Sequence, residues 1–136
     1  MRLLEKNTDV ALLIVRLSVG LLMLLHGIAK ITHGISFIEG MVTNAGLPAV
    51  FAYGVYIGEI VAPLFIIAGF RTRVAALVFV GNCVVAIALA HSGDIFSLTK
   101  HGGWAIELLG LYMFGALALM FSGGGKYAVS SKHILD

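Results

Sequence analysis

Seven polar residues interrupt the apolar runs of this 136-residue chain where they could do chemistry: Arg16, His26, Lys30, Glu59, Asn82, His91 and Glu107. An arginine well inside a membrane-spanning helix costs about 2.5 to 3.5 kcal/mol even on lenient insertion scales, so it persists only against an interior partner or a wet cavity. Counting about 1.5 Å per residue from one end of each run sorts these groups into two layers. Arg16 at about 10 Å, Asn82 at about 13 Å and Glu59 at about 16 Å form a lower layer, within reach of one arginine arm. Glu107, His26 and His91, at about 22 to 27 Å, form an upper layer, with Lys30 higher still.

The lower layer predicts an Arg16–Glu59 ion pair, which would either fix helix register or hold an anionic or quinone-like ligand with the arginine as donor. In the upper layer, His26 beside Glu107 could relay a proton near neutral pH, and these two are the candidate catalytic residues. Arg16, Lys30, Tyr56, Glu59, Asn82 and His91 are the candidate ligand-binding residues, with Met23, Tyr56, Leu111 and Phe114 as expected apolar walls. At roughly 100° per residue, Arg16, Gly20, Met23, Gly27 and Lys30 share one stripe with His26 at its edge. Ala52, Val55, Tyr56, Glu59 and Pro63 share another, with Gly54-x-x-x-Gly58 as an adjacent packing face. Asn82 faces with Ala86, whereas His91 falls about 180° away on a straight helix. Pro63 has no N–H for the carbonyl of Glu59, so a kink is expected at the acid.

The elements that must position these groups are membrane helices. The chain is 60% hydrophobic and only 12% charged, with a mean hydropathy of +1.02; a soluble domain carries about 25% charged residues. Four apolar runs, 10–29, 48–70, 74–91 and 104–122, are long enough to cross a bilayer, so the fold class is an all-α, membrane-spanning four-helix bundle forming a single domain over 1–136. Arg16 and the His26-Gly27 ending argue that the first run is a retained span and not a cleaved signal peptide. Arg2, Lys6, Arg71, Arg73, Lys126 and Lys132 lie on one side and Lys30 and Lys100 on the other, which places both termini in the cytoplasm of a bacterial inner-membrane protein. Thr8-Asp9 should cap the first helix, Pro48 open the second, Trp104 anchor the fourth at the interface, and Ser122-Gly123-Gly124-Gly125 stop it. The lone Cys83 excludes a dithiol that passes electrons to quinone. Haem held by His26 and His91 conflicts with their facing, and carboxylates at two depths make no cage for a hard metal, so no metal site is assigned.

These residues, in order and spacing, resemble the DoxX family of small four-span bacterial membrane proteins. The resemblance rests on Arg16, His26-Gly27-x-x-Lys30, Gly46-Leu47-Pro48, Glu59, Gly69-Phe70-Arg71-Thr72-Arg73, Gly103 with Glu107, and Gly123 to Tyr127. The closing turn reads Gly-Gly-Gly where the family usually has Gly-Pro-Gly, a departure that touches the helix stop alone. The resemblance implies a link to thiosulfate:quinone oxidoreductase and to membrane oxidoreductase complexes with partner subunits. The leading expectation is therefore an integral membrane subunit of a redox system that binds a quinone-like or other small ligand between its helices. The alternatives are a non-catalytic anchor or scaffold for a partner oxidoreductase, and a small-molecule transporter, which would need to act as a homo-oligomer because the chain carries no inverted repeat.

Overall fold

The first helix, α1 (Thr8–His33), is capped by Asn7, whose Oδ1 accepts from the Val10 N–H at 3.1 Å. The cap expected at Thr8-Asp9 therefore sits one residue earlier, and Asp9 does something else: its Oδ1 accepts the Lys126 N–H at 2.9 Å and ties the first turn of α1 to the segment that follows the last helix. The structure, a computed structural model, describes residues 6–136; Arg2, counted above, lies outside the described residues. A short helix, α2 (Ser36–Asn44), occupies the connection between the first two apolar runs. Next come α3 (Ala49–Ala68) and α4 (Thr72–Ala90), then α5 (Glu107–Ser122). Three of these, α1, α3 and α4, are long and apolar enough to cross a membrane, and α5 is a shorter apolar helix. The connection between α4 and α5 is a compact hairpin, stitched by a bridge between Leu98 and Trp104. Trp104 packs its ring against the bare backbone of Gly110 and donates Nε1–H to the Ile95 carbonyl at 2.8 Å.

Helices α1, α3, α4 and α5 pack in a ring in which α1 and α4 each touch both α3 and α5. Small residues make the close approach possible: Ala62, Ala75, Ala76 and Ala116 lie in the core with Val19, Ile66, Phe79, Cys83 and Leu119. Gly58 does the same against the Asn82 side chain, whereas Gly54, the other half of the expected packing motif, faces open space. Large apolar side chains such as Leu25, Leu77, Leu111 and Phe121 point outward. This inverts the pattern of a soluble bundle and fits a surface solvated by lipid, where helices satisfy their own backbone groups.

One end of the ring is sealed by the polypeptide itself. Gly69, at φ +72, ends α3 with paired bonds from the Gly69 and Phe70 N–H groups to the Phe65 carbonyl. The tail after α5 then folds back over this turn, with the Val129 and Ser130 N–H groups donating to the Ala68 and Gly69 carbonyls. Asp136 closes the clasp: it accepts from the Ser130 hydroxyl at 2.6 Å and from the Lys132 and His133 N–H groups, and lies 3.4 Å from Arg71. The Ser130 hydroxyl above all, with those N–H groups and the Arg71 charge, holds the Asp136 carboxyl below the usual carboxylate range.

Candidate functional site

Arg16 does not pair with Glu59. It is fully buried, and its guanidinium donates only to backbone: Nε–H to the Ile66 carbonyl at 2.9 Å, Nη2 to Ile67 at 2.7 Å and Nη1 to Gly124 at 3.1 Å. The last carbonyls of a helix have no intrahelical partner and carry the negative end of its dipole, so a cationic fork is well suited to the end of α3. Arg16 thus joins α1, α3 and the tail at the sealed end. Glu59 takes Lys30 instead, with Nζ 2.5 Å from Oε2. Lys30, expected to lie above the upper layer, turns down along α1 to reach the acid.

Pro63 explains the setting of that acid. Because Pro63 cannot donate to the Glu59 carbonyl, the helix widens to a π turn over Ile57–Val61, where the Ala62 N–H reaches the Ile57 carbonyl. The Glu59 carbonyl lies against the bare backbone of Gly27, where a Cβ would collide with it. The widened turn also separates two stretches of α3: Ile57–Ala68 packs on α1 and α4, while Ala49–Tyr53 packs on α2.

The space left by that divergence is a cavity of about 680 Å³ at the end of the bundle opposite the tail. Its walls are mainly apolar, with Met23, Ile38, Val55 and Leu109 among them, and six residues with polar side chains line it: His26, Lys30, Glu59, Asn82, His91 and Tyr112. His26 packs edge-on against Tyr112, ring centres 6.0 Å apart. Among the described residues, neither the Asn82 amide nor the His26 ring has a hydrogen-bond partner. His91 reaches the cavity because α4 ends at Ala90 and His91, at φ −134, leaves the helical path. The facing argument against it assumed a straight helix through residue 91. Its Nδ1–H donates to Asp94 Oδ2 at 3.2 Å. This combination of apolar walls and a few convergent polar groups is that of a small-molecule site.

The DoxX family profile matches residues 11–92. The chain belongs to the DoxX family. An uncharacterized protein of Haemophilus influenzae is 32% identical over 132 residues, 95% of each chain. No solved structure matches. In this DoxX protein the matched stretch spans α1 to α4, and so holds Arg16, Lys30, Glu59, Asn82 and His91; α5, with Glu107 and Tyr112, follows it.

Several sequence expectations need correction on geometry. Glu107 does not line the cavity; its carboxylate folds back over Gly103 at the start of α5, and no hydrogen bond joins it to His26 among the described residues. Arg16 is likewise absent from the lining. Tyr56 is not a wall either, because its hydroxyl donates to the Lys30 carbonyl at 3.2 Å and so steadies the end of α1. Leu111 and Phe114 are 70% and 57% exposed and face outward, while Met23 does line the cavity. Sequence reasoning missed Tyr112, the buried aromatic beneath His26, and the whole contribution of α2. A tyrosine inside an otherwise apolar helix was the available signal for the first.

Proposed function

We propose that this DoxX protein binds a quinone-like small molecule in the cavity and serves as the membrane subunit of a redox system in the bacterial inner membrane, working with a partner oxidoreductase. The observation that carries this reading is the Asn82 amide, unpartnered among the described residues, in an apolar cavity that also holds the Lys30–Glu59 pair. A quinone supplies two-electron, two-proton chemistry when bound. The chain's own part is to hold and orient it. Asn82 offers both a donor and an acceptor to a ring oxygen, Lys30 offers a charged donor, and the apolar walls exclude water. His26, whose ring nitrogens can both give and take a proton, is the group placed to exchange a proton with the ligand. By the excess of Lys and Arg at the tail end, the cavity faces the outer side.

Titration of the purified protein with a decyl-chain ubiquinone analogue tests this. Asn82→Ala should weaken binding about tenfold, the value of one well-made hydrogen bond to a buried partner, with thermal stability little changed. Equal affinity in parent and variant would remove Asn82 from the site, and absence of binding to the parent would reject the quinone reading.

A further inference from the structure

The geometry points to a sideways entrance: the cavity opens to the lipid between α3 and α4, and its ligand is a lipid-soluble molecule whose head enters there while its apolar chain stays in the bilayer. This rests on the reading that the cavity binds a ligand, and it adds the route and the chemical class.

Cavity walls and outer surface are shared by the same residues along this seam. Phe51 and Ile57 on α3 and Val78 and Val85 on α4 line the cavity and are also exposed on the outside of the bundle, Ile57 and Val85 each at 55%. A wall residue with much of its surface outside marks a gap in the wall. The gap has a structural cause, because α3 leaves α4 beyond Ile57 to pack on α2, and the π turn at Ile57–Val61 is where it leaves.

Depth decides what the gap opens to. Val78 and Val85 stand about 9 and 20 Å along α4 from Thr72, and Ile57 about 16 Å along α3 from Ala68. All three lie within a hydrocarbon layer about 30 Å thick. An aqueous portal at that depth would need polar groups on its rim, and this rim carries none. Behind it, Asn82 and Glu59 stand at about 15 and 14 Å, level with the opening. A ring head passing straight inward therefore meets the amide and the ion pair without leaving the plane of the entrance, and a chain trailing from it passes between Ile57 and Val85.

Two measurements on the full chain in phosphatidylcholine nanodiscs test this. In the first, Val85→Trp narrows the seam from its exposed side, and Leu111→Trp adds the same bulk on a distant outward face. Val85→Trp should weaken binding of decylubiquinone about tenfold or more and leave the chainless duroquinone within about twofold, with Leu111→Trp altering neither. Equal effects of Val85→Trp on both quinones, or no effect on either, would overturn the entrance. In the second, Val85→Cys in a Cys83→Ser background is labelled with a membrane-partitioning maleimide and with a sulfonated, membrane-impermeant thiol reagent. The entrance predicts fast labelling by the first and none by the second. Labelling by the sulfonated reagent would show a wet portal and overturn it. Binding of neither quinone to the parent would reject the quinone reading alone, and the labelling then decides whether the seam faces lipid.

Discussion

Arg16 and Glu59 carry opposite charges at neighbouring depths, yet they belong to different parts of the molecule. Arg16 holds three carbonyls at the sealed end, and Glu59 holds Lys30 at the cavity. A double-mutant cycle separates the two arrangements. Arg16→Ala should cost about 3 to 5 kcal/mol, since it leaves buried carbonyls without donors, and its effect should add to that of Glu59→Ala within about 0.5 kcal/mol. Lys30→Met and Glu59→Gln should instead couple by about 1 to 3 kcal/mol when thermal unfolding is followed in detergent. Strong coupling of Arg16 to Glu59 would contradict the geometry. The sequence displayed all these residue types, but the partners of Arg16 are main-chain oxygens that no residue letter marks. Charge and depth alone therefore favoured the wrong carboxylate. Lys30 was legible as a cation and illegible as a partner, because a four-carbon arm can run along the helix in either direction.

At the scale of elements, Pro63 is the residue that makes the cavity. It widens α3 to a π turn around Glu59 and lets Ala49–Tyr56 diverge from α4. Pro63→Ala restores the missing N–H, so α3 should return toward regular helix. Affinity for the decyl-chain quinone should then fall by about tenfold or more while the melting temperature holds or rises. An unchanged affinity would show that the cavity does not depend on the turn. The disturbance at Glu59 was legible, since proline names the carbonyl it strands; its outcome as a wide turn was not, because packing against Gly27 selects the geometry. Four long apolar runs gave four helices with ends moved by a few residues. Helix α2 escaped notice because nine residues carry too little periodicity to separate from a loop. His91, a candidate from the sequence, does line the cavity, and only its expected facing failed: angular reasoning holds only as far as the helix does, and α4 stops one residue short.

The whole molecule has two unlike ends, one closed by its own tail and one opened into a cavity. The closed end depends on Asp136, whose carboxyl is held below the usual carboxylate range chiefly by the Ser130 hydroxyl. A depressed folded-state value means that the clasp contributes stability at and above the ordinary carboxylate range and loses it only as pH falls through the lower, folded value. Asp136→Asn should therefore speed amide exchange at Val129 and Ser130 at neutral pH, with the difference from the parent shrinking in strong acid. A difference that persists unchanged in acid would assign the clasp to packing and not to charge.

In the proposed reading, the open end holds a lipid-soluble, quinone-like ligand against Asn82 and the Lys30–Glu59 pair. Native mass spectrometry of the protein extracted in mild detergent from its own membranes tests this occupancy. The parent should retain a neutral ligand with the mass of a membrane quinone, much reduced on Asn82→Ala and on Glu59→Gln. A parent that carries no such mass and takes up none when membrane quinones are supplied, or variants that keep it as fully as the parent, would rule out a quinone held there by Asn82 and the ion pair.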